Sequence, residues 1–436
     1  MSAAETLEVD LVVVGAGMAG LTAGARAAEA GLSVVVIEKA PQIGGSAAIS
    51  GAFLWTATSW ESMRHECPDG DPAMGEALVR DFPVVVSWIR SLGIEFSEER
   101  DVIHGRGFMF DVLGYLQKAA RMIEGAGGSI VLNADVDAVL MDDGAVRGAR
   151  VRDGSGSFDV RAPWVLLASG GFQGHRGFME RYFGPSASTL LHRSNPWSSG
   201  DGLRLGLSAG AGLTEIMDSY YGHLVATPIP TFANNLDFVK YARAFSVHGV
   251  LMNLDGERFV DEWRGDHFNS QAADDQREGR VVLIFDEETR QGPARQAPAV
   301  GMEAYDQVAD SFEIGAHIAR ADDLAGLAAA IAEWGYPGAA LESAVAEHRT
   351  TATEAAQRPL GAGPYYAAEV RPAISFTEGG LRIDADGHVL DTAGAEIPGL
   401  LAAGADAGGT YNGGYAGGLA NASVFGFRAA ATVTGA

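Results

Sequence analysis

Near its front the chain reads "LEVDLVVVGAGMAGLTAGARAAEAGLSVVVIEKA", with Gly15, Gly17 and Gly20 in a GxGxxG spacing between an apolar run and a stretch of helix formers. Val12 to Val14 read as a buried parallel strand, Leu21 to Ala30 as a helix stopped by Gly31, and Val34 to Ile37 as a second strand. Gly15 permits the tight turn. Gly17 lets backbone N–H groups meet a pyrophosphate at the helix N-terminus, and Gly20 lets helix and strand pack closely. Glu38 ends the second strand, where a carboxylate accepts hydrogen bonds from a ribose. These features predict a doubly wound α/β domain, Rossmann-like, that binds a dinucleotide.

The next segments choose between dinucleotides. "PQIGGSAAISGAF" follows the second strand at once and brings Gly44, Gly45, Ser46, Ser50 and Gly51 into a second small-residue loop. A nicotinamide cofactor does not require such a loop, whereas a flavin's extended ribityl and ring need a second bare approach surface. "WVLLASGGF" predicts a third strand ending at Gly170 and Gly171, and "IPGLLAAGADAGG" a fourth ending beside "GGTYNGGYAGGLANASVFGFRAA". Four strand ends carrying small residues converge on one ligand, which points to FAD. No second GxGxxG stands in a strand context, so electrons are expected to pass to or from a separate partner.

Composition narrows the partners. Across 436 residues the net charge is −25, which repels nucleic acid and anionic membrane surfaces. Cys67 is the single cysteine, so no intrachain disulfide or CxxC metal pair exists and no metal site is expected. No leader-like or membrane-length apolar run is seen, and a cytoplasmic location is expected.

GAGMAG with Glu38, the GGSAAISG loop, SGGF, "SSGDGLRLGLSAGAGL", "GVLMNLDGERFVDE" and IPGLLAAGAD resemble, in this order and over nearly the whole chain, the FAD-dependent fumarate reductase and 3-ketosteroid dehydrogenase superfamily. The resemblance implies a glutathione-reductase-like FAD domain from 1–201 and 354–436, with an α+β capping domain inserted at 202–353. It implies cofactor contacts from the glycines and serines above and from Ala19, Glu38, Lys39, Val136, Ser169, Gly170, Asp201, Gly404, Asp406, Asn421 and Ala422. The flavin-linked histidine of covalent members is absent around Ser46, so the FAD is expected to be non-covalent.

The same resemblance locates the chemistry. Four residues past the DE pair, where the family carries a relay arginine or a tyrosine, stands Asp266, followed by His267; both are candidates for proton abstraction. Arg290 ends "VVLIFDEETR", a segment that matches the one bearing the catalytic arginine of fumarate reductases. Tyr220, Tyr221 and Tyr241 are candidates for lining a substrate pocket. Ser375 and Phe376 occupy the places of the histidine pair that holds a substrate carboxylate, and Tyr415 stands where fumarate reductases present an arginine. Tyr415-Ala-Gly instead looks like the ketosteroid dehydrogenases, whose tyrosine hydroxyl and a glycine N–H polarise a ketone; Leu419 aligns with that glycine, and Gly418 is adjacent. The expected reaction is α,β-dehydrogenation of a cyclic ketone. The alternatives are a soluble ene-reductase using Arg290 as proton donor and, remotely, a non-catalytic flavin-binding protein.

Overall fold

In the computed structural model, which describes residues 7–102, 105–229, 240–296 and 304–435, Leu11–Val14 lies inside a six-stranded sheet. Its order is His388–Leu390, Glu396–Ala402, Trp164–Leu167, Leu11–Val14, Val34–Ile37, Ser129–Val131. Every neighbouring pair is parallel except the antiparallel edge made by His388–Leu390. The chain winds outward from Leu11–Val14 in one direction through Val34–Ile37 and in the other through Trp164–Leu167. The switch point therefore lies at Gly15 and Ser169, where open α/β sheets bind their ligands. Leu11, Val12 and Val13 are wholly buried, and burying each such side chain is worth about 1.5–3 kcal/mol.

The chain divides into two compact units. The first comprises Met1–Tyr182, Ser194–Tyr220 and Phe376–Ala436, and the second Phe183–Arg193 and Tyr221–Ser375. These bounds differ from 202–353. Segment 194–220 belongs with the first unit because Arg204 donates to the carbonyls of Val136 and Asp137, and because a Cβ on Gly202 would meet the Asp406 carboxyl at 2.3 Å. The second unit runs on to Ser375 because Tyr365–Thr377 pairs along Val281–Asp286, from Tyr365↔Asp286 to Val370↔Val281.

In the second unit a sheet ordered Leu191–His192, Tyr365–Thr377, Val281–Asp286, Val250–Asn253 is joined by Tyr220–Ala226 and Ile318–Ala321. Val282 and Ile284 pack with Leu327, Ile331 and Leu341 of the helices Leu324–Ala332 and Leu341–Glu354. Val281, Leu283 and Phe285 face Phe245 and Leu251 on the other side, as the two-residue period of a strand requires. Asp323 caps the helix at Leu324, its carboxylate accepting the Gly326 N–H at 2.8 Å. After the Asp255-Gly256 turn the return pairing is confined to a single antiparallel bridge, Met252 with Arg258, whose side chain pairs with Asp261 and Glu262.

Candidate active site

The three front glycines separate into the roles their spacing implies. A Cβ on Gly15, at φ +105°, would meet the Ala168 carbonyl oxygen at 2.3 Å, and one on Gly20 would meet the Gly15 oxygen at 2.0 Å. Both are packing requirements. A Cβ on Gly17 would meet nothing within 4 Å, and the helix Met18–Glu29 that begins there has no side-chain cap and no acid in its first turn. A Cβ on Gly45, in the second loop, would lie 3.5 Å from the Gly17 Cα. An uncapped helix N-terminus under an open, glycine-floored space fits the diphosphate of FAD. Gly17→Val is accordingly expected to fold, since its φ of −83° suits any residue, and to lose FAD. Circular dichroism with the flavin-to-protein absorbance ratio checks this; stoichiometric FAD in the folded variant would contradict it.

The remaining cofactor candidates form a connected shell. Glu38 accepts the N–H groups of Ala16 and Ala40, each at 2.7 Å, which fixes its carboxylate at the edge of the glycine turn. Lys39 is held by Asp201 and by Ser199. The Ser169 N–H and hydroxyl both donate to Asp406, and the Gly202 N–H donates to the Ser169 hydroxyl at 2.8 Å. Burial pushes the Asp406 carboxyl up to about 7, with Asp201 adding to the rise. Gly404, at φ +69°, lies over Ala19 and Ala422, while Asn421 accepts from Thr410. Ser50 uses its hydroxyl locally on the Ala47 carbonyl, and Ser46 is exposed. Gly44 and Gly170 hold positive φ, Gly51 has room for a Cβ short only of Phe53, and the Val136 carbonyl is taken by Arg204.

Tyr415 is buried in the same unit. Its ring lies 5.6 Å from Trp55, 5.5 Å from Tyr411 and 6.1 Å from Phe376. The helix Gly418–Thr434 starts directly after it, and the Gly418 N–H donates to the Tyr415 hydroxyl oxygen at 2.8 Å. The phenol therefore caps the helix, with the Gly418 N–H acting on the Tyr415 oxygen. Gly418 has no room for a side chain, since a Cβ would meet the Phe376 ring at 2.9 Å.

In the second unit Asp266 is paired with His223 through Nδ1 of the imidazole. Burial alone would raise the Asp266 carboxyl, but His223, His267 and Arg193 hold it below the usual range, so it is ionised. Tyr221, two residues before His223 on the same strand face, lies 5.0 Å from it ring to ring. His267 is buried with its ring 4.0 Å from Phe268, and Arg264 lies over that same ring. Arg193, pushed down to about 10 by burial, donates to Ser375 at 2.7 Å. Sequence reasoning missed both His223 and Arg193. The alternation of Tyr221 and His223 along an otherwise apolar strand was the signal for the first; nothing local marks the second.

Arg290 sits on the short helix Glu287–Gln291 and pairs with Asp306 at 2.8 Å, an acid it shares with Arg295. Asp306 is held down at about 2 despite partial burial by the Ala309 N–H and these two arginines. Arg290 is thus engaged in an ion-pair cluster. Glu262 is likewise consumed, by Arg258 and the Leu251 N–H.

A glycine cradle at the switch point of a doubly wound sheet, with a buried phenol at a second helix start, defines a flavoprotein. The chain belongs to the FAD binding domain family, whose model matches residues 10–420. It is similar to the urocanate reductase of Eggerthella lenta, 27% identical over 442 residues that cover 92% of this chain and 70% of the relative. It is also similar to the 4-oxocyclohex-2-ene-1-carboxylate 5-dehydrogenase of Sinomonas cyclohexanicum, 25% identical over 565 residues that cover 98% and 93%. Among solved structures it shares the fold of the 3-ketosteroid-Δ4-(5α)-dehydrogenase of Rhodococcus jostii RHA1 in complex with 4-androstene-3,17-dione, with a TM-score of 0.78, 22% identity, and 98% and 97% of the two chains covered. The protein is an FAD-dependent oxidoreductase acting on CH–CH or C=C bonds. Among the described residues no helix is long and apolar enough to cross a membrane.

Proposed function

We propose that the protein interconverts a saturated C–C bond and a C=C bond beside the carbonyl of a cyclic ketone. The observation that carries this reading is Tyr415, whose hydroxyl oxygen accepts the N–H of the residue that starts a helix. A donor acting on the phenol oxygen polarises its O–H toward a further acceptor, and the nearby helix start favours negative charge. Tyr415 is therefore suited to donate to a carbonyl oxygen on which charge develops as an α proton leaves. His223 takes that proton at Nε2, with Asp266 orienting the ring through Nδ1 and stabilising the imidazolium. FAD, bound without a covalent link, supplies the two-electron acceptor for the β hydrogen. A separate electron acceptor or donor completes turnover. The aromatic rings around Tyr415 favour an alicyclic or aromatic ring over a small dicarboxylate, and the Sinomonas relative is named for a cyclic ketone. The same groups run in reverse reduce an enone.

A substrate panel tests this. Cyclic ketones with and without a ring carboxylate are offered with an artificial electron acceptor, and the matching enones, fumarate and succinate with a reduced dye or acceptor as appropriate. Turnover is expected with ketones or enones and not with the C4 acids. Efficient fumarate reduction with no ketone or enone turnover would overturn the reading and return Arg290 to consideration.

A further inference from the structure

Glu378, in "ISFTEGG", is a buried acid of the cofactor unit that the chemistry above does not use. Ser219 donates to its Oε2 at 2.5 Å, and Oε1, equally enclosed, has no hydrogen-bond partner among the described residues. Its backbone is fixed on both sides: the Glu378 N–H donates to the Ser219 carbonyl at 2.9 Å, and the Gly409 N–H donates to the Glu378 carbonyl at 3.0 Å. The titratable groups that act on or feel this carboxyl are Cys67, beside Glu66 at the end of the helix Trp60–Glu66, and Tyr411, which in turn contacts Tyr415. No cation pairs with Glu378 among the described residues. Burial pushes its carboxyl up to about 8 and drives the Cys67 thiol and the Tyr411 phenol upward as well. Near neutral pH, Glu378, Cys67 and Tyr411 therefore carry no charge, and an ionised Glu378 would be an enclosed anion without a counter-ion.

We propose that Glu378 is a proton store of the cofactor unit, its carboxyl staying protonated to higher pH once two electrons reside on the cofactor than while the flavin is oxidised. The proposal rests on the FAD assignment and not on the ketone reading. Reduction by two electrons and one proton leaves one net negative charge on the cofactor, and that charge disfavours a second anion in the same unit. Where the carboxyl of the oxidised protein is ionised, reduction then draws one further proton from solvent. A carboxylate oxygen gains an O–H bond and no other bond changes.

The test is the midpoint potential of the bound flavin, followed with redox dyes across the neutral and alkaline range. In the parent protein the uptake is expected to rise from one proton per two electrons to two as pH passes about 8, the value to which burial pushes this carboxyl. Glu378→Gln is expected to hold at one throughout, and Cys67→Ala to retain the rise. Identical proton counts with and without Glu378 would overturn the proposal. Should Glu378→Gln fail to hold FAD, the reduced-minus-oxidised infrared spectrum of the parent at alkaline pH decides: a carboxylic C=O band gained on reduction and shifted in heavy water supports the store, and its absence overturns it.

Discussion

His223→Ala is expected to slow flavin reduction by a cyclic ketone by about 10²- to 10⁴-fold, the range for loss of a positioned general base. The effect follows from the pairing of His223 Nδ1 with an Asp266 carboxylate held below its usual range by His223, His267 and Arg193 against the upward push of burial. An imidazole oriented in this way presents Nε2 as the acceptor and gains as an imidazolium beside the carboxylate. Asp266→Asn lowers the rate as well, because a neutral partner neither orients the ring nor stabilises the imidazolium. His267→Ala leaves the rate close to that of the parent. The pairing also contributes to stability: with its carboxyl pKa depressed in the fold, Asp266 stabilises the folded state above about pH 3.9, and that contribution is lost as pH falls through the depressed value. Stopped-flow reduction checks the first set, and acid unfolding of Asp266→Asn against the parent checks the last.

Tyr415→Phe is expected to reduce the same rate by about 10²- to 10³-fold, the cost of one oxyanion donor, while ketone binding weakens little. The difference between the two effects is informative because the hydroxyl's bond is stronger in the transition state than to the bound ketone. The substitution also removes the acceptor of the Gly418 N–H, which costs stability on the order of 1 kcal/mol. The ring contacts with Trp55, Tyr411 and Phe376 remain. A variant that folds, keeps its FAD, binds ketone and reduces at the parent rate would assign Tyr415 to helix capping alone.

The cofactor half of the fold was legible because its determinants are local. Gly15, Gly17 and Gly20 act within one turn, and the packing each requires or the space it leaves follows from spacing. The candidate acid–base groups were less legible because they are brought together from distant segments of the chain. His223 and Asp266 lie 43 residues apart; Arg193 reaches Ser375 because Leu191 and His192 pair with Ala373 and Ile374. The pairing of Arg290 with Asp306, 16 residues further on, is likewise one that spacing does not announce. The unit boundary moved from 202 to 221 for a similar reason, since the contacts that hold the helix Asp201–Ser208 come from Val136, Asp137 and Asp406.

The most direct measurement is the absorbance of the bound flavin on anaerobic mixing with a cyclic ketone, recorded for the parent, Tyr415→Phe and His223→Ala. Rapid bleaching of the parent, with both variants slowed at least about 10²-fold while keeping their FAD, is the predicted result. A parent protein that stays yellow with every ketone, and whose photoreduced form is reoxidised by fumarate but by no enone, would contradict it.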